Sequence, residues 1–204
     1  VKTNVLTLSA LLVAVAAGSA QAQSANSNQS NNASVRSQLN ATVSGVNNSV
    51  SATAAAISNS VTIDGGAAVS INNNQNAWGG ASSQLNATVN DVSKDVSATS
   101  AAIANSATIK TSDWGGTINS TQVAYNDPSA TLNATVTDVF GAVSATAAAI
   151  SNSATIDSRF GSLNSSQSNT AGVSAVATTT VRDVSGAVTN TAAAIGNSLT
   201  VTGF

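Results

Sequence analysis

Few side chains in this sequence could do chemistry. His, Cys, Met and Glu are absent, and eight Asp residues are set against six Lys and Arg in 204 positions. Without His or Cys most nucleophile–base pairings are excluded, and no Gly-rich phosphate loop follows a strand-like run. Asp91, Asp138 and Asp183 recur at one repeat position, which Gly45 occupies in the first copy. A cation site needs several oxygen ligands converging on one ion. Neither a D-x-D-x-D loop nor a calcium-binding nonapeptide is present, so these Asp residues read as turn or cap residues. The sequence predicts no enzyme, no cofactor and no metal centre.

What does recur is amide chemistry. Asn-x-x-Gln appears four times, as Asn26/Gln29, Asn72/Gln75, Asn119/Gln122 and Asn164/Gln167. If these pairs fall in register on stacked strands, they form ladders of side-chain amides along the stacking axis. A structural role is the expectation, with ligand binding as the alternative. Trp78, Trp114, Tyr125 and Phe160 sit in loop-like segments. Such rings can stack on sugars or anchor a partner, or they can close the ends of the strands against solvent. Their offsets look different from copy to copy. The Asn-Ala-Thr triplets at Asn40, Asn86 and Asn133 match a glycosylation sequon but read as repeat content.

The elements that must position these residues follow from the repeat. The pairs step by 46, 47 and 45 residues. A second block keeps the same steps: LNATVSGVNNSVSATAAAISNSVTI (39–63), LNATVNDVSKDVSATSAAIANSATI (85–109), LNATVTDVFGAVSATAAAISNSATI (132–156) and a degraded ATTTVRDVSGAVTNTAAAIGNSLTV (177–201). Four units result, approximately 26–71, 72–118, 119–163 and 164–204. Length differences are confined to Gly-, Asp- and Asn-rich loops, one of which holds the only Pro, Pro128, as stacked repeats require. The last unit lacks the LNAT start and is expected to act as a capping copy.

Two periodicities compete within the block. Leu132, Val136, Val139, Val143, Ala147 and Ile150 make a helical stripe, which keeps an α-helical repeat or coiled-coil-like fibre as the alternative. Against it, Thr, Val, Ser, Asn and Gly are poor helix formers, and no Glu is present to form i,i+4 pairs. From Val139 onward, Gly141, Val143, Ala145, Ala147 and Ala149 alternate with period two. Ser151-Asn152 then reads as a tight turn, as do Ser58-Asn59, Ala104-Asn105 and Gly196-Asn197, each followed by a short return strand. The favoured fold is all-β: a β-solenoid with about two rungs of some 23 residues per unit, eight rungs spanning roughly 35–40 Å.

Residues 1–22 read as a signal peptide. Lys2 supplies a basic start, Val5–Ala17 an apolar stretch, and Ala20-Gln21-Ala22 a small-x-small cleavage site. Val1 fits a GTG start codon read literally in a bacterium. The apolar stretch is shorter than the roughly 20 residues of a spanning helix, and no later segment in 23–204 approaches that length. Localisation is therefore expected to be secreted, extracellular or at the cell surface, with the periplasm as the alternative. Export without cysteine leaves the fold to backbone hydrogen bonds and small-side-chain packing. A charge of −2 with only 7% charged residues gives no footprint for nucleic acid and favours self-association.

The recurring Asn/Gln pairs, the Val-x-Ala-x-Ala-x-Ala-x-[Gly/Ser/Ala]-Asn segments and the Ser/Thr/Asn/Ala-rich composition resemble secreted bacterial β-repeat surface proteins, namely curlins and holdfast-attachment proteins. The resemblance covers most of 24–204. The Gly–Asn alternation that follows Gln in curlins is absent, and the unit here is double length. The resemblance implies attachment, matrix scaffolding, fibre assembly or biofilm formation, with partners among copies of the chain, other surface or matrix components, or a polysaccharide. The alternative reading is a binding module for a repetitive ligand, polysaccharide or ice, through ranks of Thr.

Overall fold

The computed structural model describes residues 6–15, 24–64 and 70–203; of 6–15, 112–115 and Phe160 it describes the backbone alone. Eleven strands and no helix occur among the described residues: β1 (Leu6–Val15), β2 (Ser24–Asn31), β3 (Val35–Val46), β4 (Val50–Asp64), β5 (Ser70–Ala77), β6 (Ala81–Val92), β7 (Val96–Ala124), β8 (Ser129–Val139), β9 (Val143–Asn169), β10 (Ser174–Val184) and β11 (Val188–Thr202). Every pairing among them is parallel. The all-β solenoid is therefore the fold, and the helical alternative is not.

The number of coils per unit is corrected. Leu39 pairs with Leu85 and Leu85 with Leu132, while Val50, Val96, Val143 and Val188 form one column. Each residue thus lies beside its counterpart one whole unit away, so a unit makes one coil and not two rungs. The two halves of a unit are opposite sides of a flattened coil. Gln29 Nε2 donates across it to the Ser60 carbonyl at 2.8 Å, and Ser83 Oγ to the Ala54 carbonyl at 2.8 Å. Four coils at about 4.8 Å span roughly 19 Å of axis, half the expected length.

The turn is also reassigned. Ser58-Asn59 does not reverse the chain; β4 runs through it, with Ser58 and Asn59 both buried. The chain reverses instead after Gly45, Asp91, Asp138 and Asp183, whose φ angles are +68°, +54°, +52° and +52°. This left-handed conformation costs most L-residues about 1–2 kcal/mol, and Asp and Gly tolerate it. Strand β9 consequently starts at Val143 rather than Val139, because 140–142 form the corner.

Alternation fills the interior. Val143, Ala145, Ala147 and Ala149 point inward at 2%, 0%, 0% and 0% exposure. They pack against Leu85, Leu132, Val89 and Val136 from the opposite side of the coil. A second cluster, Ile63, Ile71, Ile109, Ile118 and Ile156 with Val61, fills the other end of the flattened section. The small inner residues let the two sides approach closely, which is what the Ser83–Ala54 bond requires.

The last unit lies over the third, with β11 paired along its length with β9. Val188 and Leu199 continue the columns of Val143 and Ala154, yet they are 48% and 45% exposed. At the other end, β1 pairs with β4 from Leu6↔Val50 to Val13↔Ile57. Residues 6–15, set aside above as leader, thus form a strand on the first coil.

Candidate functional site

Successive side chains on a strand point to opposite faces, so residues three apart lie on opposite sides. Asn-x-x-Gln therefore sends its Gln inward and its Asn outward. Gln75 and Gln122 are fully buried. Gln75 Nε2 donates to Gln29 Oε1 at 2.8 Å, Gln122 to Gln75 at 2.7 Å and Gln167 to Gln122 at 2.8 Å. The same nitrogens reach the carbonyls of Ser106, Ser153 and Ser198 across the coil at 2.8–2.9 Å. Each Gln thus binds coil to coil and side to side, and its buried amide is satisfied, as burial demands. Outside, Asn72 donates to Asn26, Asn119 to Asn72 and Asn164 to Asn119 at 2.8–3.0 Å.

Two further ladders were not anticipated. Asn59, Asn105 and Asn152, read above as turn residues, each donate at 2.8 Å to the next amide in the column, which ends at Asn197. Asn105 and Asn152 also donate to the Val123 and Ser168 carbonyls. This column is buried at Asn105 and Asn152. Its donors point toward the last coil, whereas those of the Gln and outer Asn ladders point toward the first. An unbroken Asn at this position in all four units was the available signal. Outside, Asn133 donates to Asn86 and Asn86 to Asn40 at 3.0 and 2.8 Å, which gives the sequon asparagines a place in the stack.

Trp78 and Tyr125 come together. Each lies three residues after its unit's Gln, so they share a column, and their rings stack with centroids 3.8 Å apart and planes 6° from parallel. They are 47% and 39% exposed. Trp114 and Phe160, expected in loops, lie instead within strands β7 and β9, where the pairing of the two strands shifts register; their side chains are outside the described residues. Phe140, at 74% exposure, projects from a reversal corner and was not singled out from sequence.

Thr ranks run across coils rather than along strands. Thr42, Thr88, Thr135 and Thr180 form one exposed column, and Thr53, Thr99, Thr146 and Thr191 form a second that is half-buried except at Thr191. Among the described residues no three acidic side chains converge as a metal site would require. No described helix is long and apolar enough to cross a membrane. The site is thus an extended surface of side-chain columns that run from coil to coil.

Residues 66–204, from the end of the first unit onward, match a family model described as holdfast attachment protein D. No curated protein and no solved structure matches the chain.

Proposed function

This chain belongs to the holdfast attachment protein D family, an adhesive surface family, and from that premise we propose that it is a secreted, non-catalytic attachment protein whose coils stack into a fibre or matrix. The observation that carries the reading is the set of parallel strand and amide ladders that runs from coil to coil through all four units. Residues 1–22 direct export and are removed, leaving 23–204 at the cell surface or outside the cell. Self-association or docking to other surface and matrix components then supports attachment, in the manner of a curli-like fibre or biofilm matrix protein.

Partner contact is assigned to the exposed aromatics. The facing sides of Trp78 and Tyr125 are used against each other, so a polysaccharide would meet their outer faces and edges; Trp114 in β7 and Phe160 in β9 are further candidates. Deletion of the gene should reduce attachment of cells to surfaces, with restoration by the intact gene. The Trp78→Ala/Tyr125→Ala variant should keep its fold by circular dichroism and lose retention on matrix polysaccharide. Purified mature protein, residues 23–204, that stays monomeric at high concentration and binds neither surface nor matrix would sink the reading.

A second reading rests on the exposed Thr42–Thr88–Thr135–Thr180 column, a rank with the spacing of the coils. It would present a regular lattice to a repetitive ligand such as polysaccharide or ice. Thermal hysteresis and polysaccharide pull-down test it, and null results in both remove it.

A further inference from the structure

The first coil is not bare. Strand β1 lies on the outer edge of β4, with Leu6, Ser9, Ala10 and Val13 beside Val50, Thr53, Ala54 and Ile57. That is the relation β11 holds to β9, where Val188, Thr191, Ala192 and Ile195 lie beside Val143, Thr146, Ala147 and Ile150. The β9 residues occupy the same columns as the β4 residues. By repeat register, a second copy placed with its last coil on this first coil would set Val188, Thr191, Ala192 and Ile195 where β1 sets Leu6, Ser9, Ala10 and Val13.

The two ends match in other respects. The ladders are polar: the outer Asn column ends in the Asn164 acceptor on the last coil and the Asn26 amide on the first, and the buried column ends in Asn197 and Asn59. Head-to-tail stacking sets donors against acceptors, whereas head-to-head contact sets like against like. Charges also fit. In register, Arg182 and Asp183 meet Ser44 and Gly45 of the next copy, while Arg36 and Asp64 of that copy meet Ser174 and Thr202. No like charges meet across the joint. The apolar ends of the Val188 and Leu199 columns are covered by Val50 and Val61.

We propose that the Leu6–Val15 segment is a removable cap, competing with β11 of a second copy for the edge of β4, so that loss of the leader releases head-to-tail assembly. This inference rests on the stacking reading above and adds its regulation. The leader is the weaker occupant. It follows the coil register only as far as Val13↔Ile57 and shifts to Val15↔Ser60, since it has no Asn to continue the Asn59 column. It pairs with β4 alone, leaving β2 and β3 as edges of their stacks, whereas a second copy would cover all three. While the leader stays in place the copy cannot approach to strand-pairing distance, about 4.8 Å.

The test uses the full chain with a specific protease site inserted after Ala22, refolded from denaturant and followed by light scattering and electron microscopy. Uncut chain should remain monomeric, and cutting should lower the critical concentration for assembly at least about tenfold. The Ser9→Pro/Ala10→Pro variant removes consecutive N–H donors from the leader strand and should assemble without cutting. If uncut and cut chains both assemble and do so alike, or the cut chain assembles while the proline variant stays monomeric uncut, the cap is overturned while stacking stands. If neither the cut chain nor the proline variant assembles, stacking and cap fall together.

Discussion

Replacing Gln122 by Ala tests the inner ladder where it is most completely enclosed. Gln122 is fully buried, donates to Gln75 at 2.7 Å and to the Ser153 carbonyl at 2.9 Å, and accepts from Gln167 at 2.8 Å. Truncation leaves two acceptors without this donor in a site closed to water. Each buried group so orphaned costs about 1–3 kcal/mol, and the void adds to that. Gln167 is only partly buried, so its freed N–H recovers water and adds little. The expected loss is about 3–4 kcal/mol. Asn119 makes the corresponding bond on the outer face at 2.9 Å. There water replaces the lost partner, so Asn119→Ala should cost about 0.5 kcal/mol. Urea denaturation followed by far-UV circular dichroism measures both. If Gln122→Ala loses under about 1 kcal/mol, or no more than Asn119→Ala, the inner ladder is not what binds the coils together.

Asn105→Asp should destabilise by on the order of 3 kcal/mol at neutral pH, because a carboxylate cannot donate to Asn152 or the Val123 carbonyl. Burial without a cation raises a carboxyl pKa above its unfolded value. That variant should therefore come closest to wild type in acid and weaken as pH rises through the raised pKa, as denaturation at a series of pH values will show. Asp138→Gly should be neutral to slightly stabilising in thermal melts. Asp138→Val should lose about 1–2 kcal/mol, since φ is +52° there and β-branched side chains resist that region. Gly79→Ala should destabilise clearly by the same melts, since its added Cβ would run into the backbone carbonyl of Ala33.

Much of this fold was legible in the sequence because the period is written in two independent markers. The inward alternation of Val143, Ala145, Ala147 and Ala149 was readable for the usual reason that one strand face is buried. The coil count was not, because a unit of 46 residues divides as easily into two layers as into two sides of one, and only register decides. The helical stripe has a physical origin. Leu132 and Val136 share an inward face. The left-handed Asp138 then faces out and delays the next inward residue to Val139, a step of three, and the corner at 140–142 returns Val143 on the opposite side. Ile150 completes the stripe on paper but faces outward. Asn152 looked like a turn because its tolerance of unusual backbone is a local property, whereas its ladder needs the neighbouring units. The Trp78–Tyr125 stack was recoverable by counting from Gln rather than from the loop ends.

The account is tested most directly by the axial repeat of assembled protein lacking residues 1–22, measured by cryo-electron microscopy or fibre diffraction. One coil per unit with head-to-tail stacking predicts a coil spacing of about 4.8 Å and a subunit repeat of about 19 Å. A subunit repeat near 38 Å, or protein that forms no axial stack at any concentration, would contradict it.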